Sequence, residues 1–170
     1  MAHLADKLQR AWRHWRTTAA VGRRAFPAQT LSAITQAITA GEQSHRGELR
    51  LIVENSMPGE LVWHEVSNRK RALALFAEYG VWDTEDNCGV LIYINLAERK
   101  VDIVADRAIN RRIEPATWQS ICNAMTSGFA LGQFHDSTLA AVEQVNALLR
   151  QHFPAEGARA NELPDRPLVL

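Results

Sequence analysis

Two cysteines in 170 residues, Cys88 and Cys122, are too few for a disulfide framework and too far apart for a Cys-x-x-Cys metal or redox motif. Long hydrophobic runs are missing as well: nothing approaches the roughly 20 uninterrupted apolar residues that a membrane-spanning helix needs. The first residues make no secretory signal, because Asp6, Lys7, Arg10, Arg13 and Arg16 interrupt any hydrophobic segment there. Charge of one sign is also lacking, since nineteen basic residues balance nineteen acidic ones. The chain as a whole therefore offers no field that would gather nucleic acid. These absences together point to a cytoplasmic protein with free thiols and no nucleic-acid partner.

What is present suits one domain. An apolar fraction of 46% over 170 residues supports a single sizeable core, with no internal repeat and no low-complexity segment. Leu4, Leu8, Ala11, Trp12 and Trp15 recur at helical spacing, with Lys7, Arg10, His14 and Arg16 on other faces. Residues 1–24 thus read as an amphipathic helix packed on the domain. It holds six basic residues against one acid, Asp6, so either its charges are a solvated face or the helix meets a membrane surface or a protein partner.

From residue 25 to 153 the pattern predicts a folded body. A helix follows Phe26-Pro27, lined by Leu31, Ile34 and Ile38. Glu48–Glu54 alternates as a mostly buried strand, and a further helix spans about Val66 to Tyr79. Gly89–Leu96 is a continuous β-rich apolar run, as a central strand needs. Lys100–Asp106 alternates after a short turn and closes a hairpin. Two helices follow, one opening near Pro115 and lined by Trp118, Ile121, Cys122, Met125 and Phe129, the other running from about Ser137 to Phe153. Residues 154–170, with Pro154, Pro164 and Pro167, read as an irregular tail. Trp63, Trp82 and Trp118 read as core or site-lining aromatics.

This order gives an α/β fold on a small mixed sheet, with one parallel crossover and one hairpin. Its geometry puts the start of the first strand, the start of the second and the end of the third along one border. Glu42, His45 and Glu48, then Asp83, Thr84, Glu85, Asp86 and Asn87, then Asp106, Arg107 and Asn110 gather there. Close carboxylates repel by about 1 kcal/mol or more per pair at intermediate dielectric, so a cation should sit among them. A hard divalent ion, Ca²⁺ or Mg²⁺, suits such oxygen donors. Arg107 or Lys100 could supply the charge internally, and helix caps, salt bridges and solvation are the ordinary fates of carboxylates at strand ends.

The stretches Thr84–Tyr93 (TEDNCGVLIY) and Val101–Arg107 (VDIVADR) resemble the two signature strands of the TPM domain family. Upstream Glu42-x-x-His45-x-Gly47-Glu48-x-Arg50 and downstream Trp118, Phe129, Gly132, His152–Pro154 and Asn161–Asp165 resemble its small cytoplasmic bacterial branch. The resemblance implies an α/β/α sandwich. It also implies a divalent-metal region at Asp86, Asn87 and Asp106, with Glu42 and Glu48 as neighbours, since some relatives bind metal at the loops before the Asn-x-Gly strand. Relatives include accessory proteins of membrane complexes and a plant thylakoid member described as an acid phosphatase. The family's Asp-Arg-Gly after the third strand reads Asp106-Arg107-Ala108 here.

Two functions follow as expectations: a cation-binding accessory or interaction module, or a metal-dependent phosphatase acting on phosphomonoesters. In the second, Arg107, His45 and Thr84 would meet the substrate. Neither cysteine is followed six positions later by Arg, no Gly-x-x-x-x-Gly-Lys loop is present, and no Asp-x-Asp nucleophile motif occurs. The carboxylates around Cys88 would suppress its thiolate. The interaction module therefore demands less of this sequence.

Overall fold

In the computed structural model, residues 2–157 and 160–170 are described, with side chains from Leu4 onward. Three strands follow the expected positions: β1 (Glu48–Glu54), β2 (Gly89–Asn95) and β3 (Lys100–Ala105). β1 pairs parallel with β2, Glu48 opposite Gly89 through Glu54 opposite Asn95, and β2 pairs antiparallel with β3. A short β4 (Leu168–Val169) adds to the free edge of β1 in parallel, giving the order β3-β2-β1-β4. The tail thus ends in the sheet. Arg50 holds it there, its Nη1 donating to the carbonyls of Pro164 and Arg166, each at 2.6 Å.

Eight helices surround the sheet among the described residues: α1 (Ala2–Arg16), α2 (Ala19–Ala25), α3 (Ala28–Glu42), α4 (Gly59–Trp63), α5 (Asn68–Glu78), α6 (Arg107–Asn110), α7 (Pro115–Ala130) and α8 (Phe134–His152). Local chemistry explains several of their starts. Pro115 occupies the first turn of α7, where a missing N–H costs nothing, and Ser67 caps α5 by accepting from the Lys70 N–H.

Strand alternation sorts the sheet into two faces. Leu49, Leu51 and Val53 join Val90, Ile92, Ile94 and Ile103 beneath α3, α7 and α8. Ile52, Leu91, Tyr93 and Val104 face the other way, under Ala72 and Leu75 of α5 and under Leu163 from the tail. The result is the expected α/β/α sandwich. Truncating a fully buried residue such as Ile92 to Ala would cost about 2–5 kcal/mol.

Two expectations meet a different outcome. Trp118 is buried in the core, whereas Trp63 and Trp82 are 54% and 52% exposed. The first helix lies on α4 through its polar residues Lys7, Arg10 and His14, and its large apolar residues Leu4, Leu8, Trp12 and Trp15 face solvent. Its rotation is set by buried polar groups it meets, Glu98 among them, rather than by its own hydrophobic stripe.

Candidate functional site

The border where three strand ends were expected to meet is built by backbone hydrogen bonds. Glu48 N donates to Cys88 O at 3.1 Å, and Asp106 N donates to Gly89 O at 2.9 Å. Gly89 is required at this junction, because a Cβ there would lie 1.8 Å from the Val81 carbonyl oxygen. The acids of this border fall into two groups.

The first group surrounds the turn before β2. Thr84 Oγ1 accepts from Cys88 N at 2.9 Å and Thr84 O accepts from Asn87 N at 3.0 Å. Asn87 adopts a left-handed φ of 53°, which its short polar side chain tolerates. The Cys88 thiol is buried and donates to Asp86 O at 3.3 Å. Across the turn Asp106 caps α6, its Oδ1 accepting from Arg107 N at 2.6 Å. Its other oxygen, Oδ2, is buried and has no hydrogen-bond partner among the described residues. Arg107 is 82% exposed and spans the two sides, with Nη2 3.5 Å from Asn87 Oδ1 and Nε 4.0 Å from Asp106 Oδ1. Asp86 lies 3.8 Å from Arg46 Nη1. Ala108 sits within α6, so the turn tolerates alanine where the family has glycine.

The second group lines an open cleft of about 340 Å³ formed by Thr39, Glu42, His45, Arg46, Glu48 and Asp165, together with Ala155, Gly157, Ala160 and Asn161. Asp86, Asn87 and Asp106 do not line it. Burial, against a hydrogen bond from the Leu49 N–H (2.8 Å) and with the Glu48 and Asp165 charges adding to it, pushes the Glu42 carboxyl up to about 8. Glu48 is pushed up as well, first by burial, although Leu163 N donates to its Oε2 at 3.1 Å. His45 is 2% exposed, with Nδ1 3.0 Å from Gly47 O and Nε2 3.1 Å from Asn146 Oδ1. Burial pushes its pKa below the ordinary imidazole value. Both ring nitrogens lie against protein oxygens, so a metal at either one would have to displace that contact.

The structure therefore brings Asn87, Asp106 and Arg107 together, with Asp86 beside them directed at Arg46, and separately Glu42, Glu48 and His45. Thr84 supports the turn of the first group with its hydroxyl. Among the described residues no group of three or more His, Cys, Asp or Glu is poised to hold a metal. A cation at the first group would rely on the Asp106 carboxylate and the Asn87 amide oxygen, with Asp86 as the next carboxylate in the chain, shared with Arg46. Such an oxygen-only set suits a hard ion that keeps several waters, and the unpartnered Asp106 Oδ2 supplies a donor that nothing else satisfies.

Four contributors were not among the expected site residues. Arg46 sits between the groups, Asn146 pins His45 and donates to Ala37 O at 3.0 Å, and Glu162 accepts from Glu85 N at 2.8 Å. Asp165 joins the cleft and is held by Thr39 and by Asn161. The signal for the last two was an acid pair bracketing a lone leucine, Glu162 and Asp165 about Leu163.

The model of the TPM domain matches residues 23–148. The fold is also similar to the solution structure of the BA42 protein from the psychrophilic bacterium Bizionia argentinensis, with a TM-score of 0.74 and 25% identity over 85% of this chain and 94% of that one. The chain matches no curated protein.

Proposed function

Because this chain belongs to the TPM domain family, we propose that it is a cation-binding accessory module that holds one Ca²⁺ or Mg²⁺ between the turn before β2 and the start of α6. Asp106 and Asn87 supply the first oxygens, with Asp86 as the neighbouring carboxylate. The observation that carries this reading is the buried Asp106 Oδ2 with no hydrogen-bond partner, since a buried unpaired carboxylate oxygen is costly unless something cationic meets it. Glu42 and Glu48 stand outside this set. Burial favours the protonated form of Glu42, which is a poor ligand for a hard ion, and Glu48, raised in the same direction, is engaged by the Leu163 N–H.

The ion supplies positive charge. The protein's share is to orient the oxygens: Thr84 braces the turn, Asn87 presents an exposed amide from a left-handed backbone, and Asp106 is fixed by its cap bond. Arg107, exposed beside Asn87, is the group that would meet an anionic partner or a phosphate.

Calorimetric titration with Ca²⁺ and with Mg²⁺ tests the proposal, paired with Asp106→Asn. Asparagine is as good an N-cap as aspartate, so this variant keeps α6 and removes the charge. Wild type is expected to bind one ion, with a stabilisation of ~2.7 kcal/mol at a hundredfold excess over Kd, or about 5–10 °C in melting midpoint. Asp106→Asn is expected to lose both. No heat and no thermal shift in millimolar Ca²⁺ would end the proposal. Turnover of a phosphomonoester by the loaded wild type, lost in Asp106→Asn, would move the chain to the metal-dependent phosphatases.

A further inference from the structure

The first helix is turned the opposite way from what burial of its own side chains would demand. Arg10 donates from Nε to Glu98 Oε1 at 2.5 Å, from Nη1 to Val62 O at 3.2 Å and from Nη2 to Val66 O at 2.7 Å. His14 Nδ1 accepts from Met57 N at 3.2 Å, which leaves Nε2 as the donor to Glu98 at 3.0 Å. Lys7 pairs with Glu65 at 3.0 Å. Positions 7, 10 and 14 share one helical face, and that face is committed to the protein.

The apolar residues consequently point outward. Leu4, Leu8, Trp12 and Trp15 are 55%, 55%, 53% and 78% exposed, and Val21 of α2 extends the patch at 43%. Arginines border it. Arg13, Arg16, Arg23 and Arg24 are exposed and have no acidic partner among the described residues, and the Arg16 guanidinium lies 4.4 Å from the centre of the Trp12 ring. Asp6 is the one acid of residues 1–24.

We propose that α1 is the surface by which this protein lies on an anionic lipid bilayer, with Leu4, Leu8, Trp12 and Trp15 among the acyl chains and the arginines at phosphate level. Charge selects this occupant over a second copy of the chain, whose own patch would bring the same arginines face to face. The composition selects it too. A convex helical ridge of Leu and Trp flanked by Arg is how an interfacial helix is built, and long arginine side chains reach outward from such a ridge to the headgroups. No helix among the described residues is long and apolar enough to cross a membrane, so the contact is with the surface. None of the residues at the acidic border takes part.

Flotation of the full chain with vesicles of phosphatidylcholine alone, or with a quarter phosphatidylglycerol, tests this. Wild type is expected to float with the anionic vesicles at low salt, to detach at high salt and to ignore the neutral ones. Leu8→Ser/Trp15→Ser changes only exposed positions, so its melting curve should match wild type while flotation is lost. Arg13→Gln/Arg16→Gln should weaken partition about 30-fold, at ~1 kcal/mol per arginine. Asp106→Asn should float as wild type does. Failure of wild type to float, or unchanged flotation of Leu8→Ser/Trp15→Ser, overturns the proposal. So does a dimer in sedimentation that Leu8→Ser/Trp15→Ser dissociates.

Discussion

The two ends of the central strands carry similar carboxylates and treat them in opposite ways. Where β1 and β2 end, Glu54 is 2% exposed and is gripped by Arg71 through Nη2 at 2.7 Å and Nε at 3.1 Å, with the Tyr93 hydroxyl donating at 2.6 Å. Glu98 nearby is held down to about 2, first by the hydrogen bond from His14 and then by Arg10, against the pull of burial. Where β1 and β2 begin, burial and neighbouring acids push Glu42 up to about 8 and raise Glu48, and Asp106 keeps an unpartnered oxygen. Guanidinium groups make the first end structural. At the second end burial keeps a proton on Glu42, and the unmet oxygen of Asp106 is where a cation would gain by binding.

If that contrast is right, removing a cation from the paired end should do the most damage. Arg71→Met leaves Glu54 buried without its partner, and the expected loss is about 3–5 kcal/mol, read as a lower midpoint in urea unfolding. Adding Glu54→Gln should recover much of it, since the stranded charge is then gone. Equal stability of the single and double variants would mean that packing, and not charge, dominates this end.

Glu98 tests the same end from the side of α1. Its folded pKa lies below the ordinary value of 4.5, so its contribution is present above pH 4.5 and is lost as pH falls toward 2. The linkage is worth roughly 3 kcal/mol. Glu98→Gln should flatten that acid-side loss and raise amide exchange along α1, whose rotation rests on this carboxylate.

Much of this contrast was legible in the sequence, and the part that was not has a common cause. The uninterrupted run from Val90 to Ile94 and the alternation through 101–105 gave the central strand and its hairpin, and chain topology then required Glu48, Cys88 and Asp106 to share a border. Periodicity is local and could carry these. It could not show that Arg10 would answer a carboxylate 88 residues away and so rotate α1. Nor could it show that Arg50 would draw residues 164–166 over the sheet and bring Asp165 to the cleft. The division of the acids into two groups has the same origin. Glu48 shares its sheet face with Arg50 and Ile52 and is reached by Leu163 from the tail, whereas Asp106 spends one oxygen on its own helix.

The smallest effect sharpens the other half of the contrast. With a folded pKa of about 8 against 4.5 unfolded, Glu42 keeps its proton in the fold over a range where the unfolded chain has released it. Stability from this group is therefore complete below pH 4.5 and falls as pH rises toward 8. Glutamine mimics the protonated acid at every pH. Glu42→Gln should match wild type near pH 5 and exceed it near pH 8, by about 1–2 kcal/mol once the open, water-filled cleft is allowed for. Thermal melts of both proteins across that range give the difference directly. A wild-type curve as flat as the variant's would mean that Glu42 is ionised in the fold, and that the beginning of the strands neutralises its acids as thoroughly as their end.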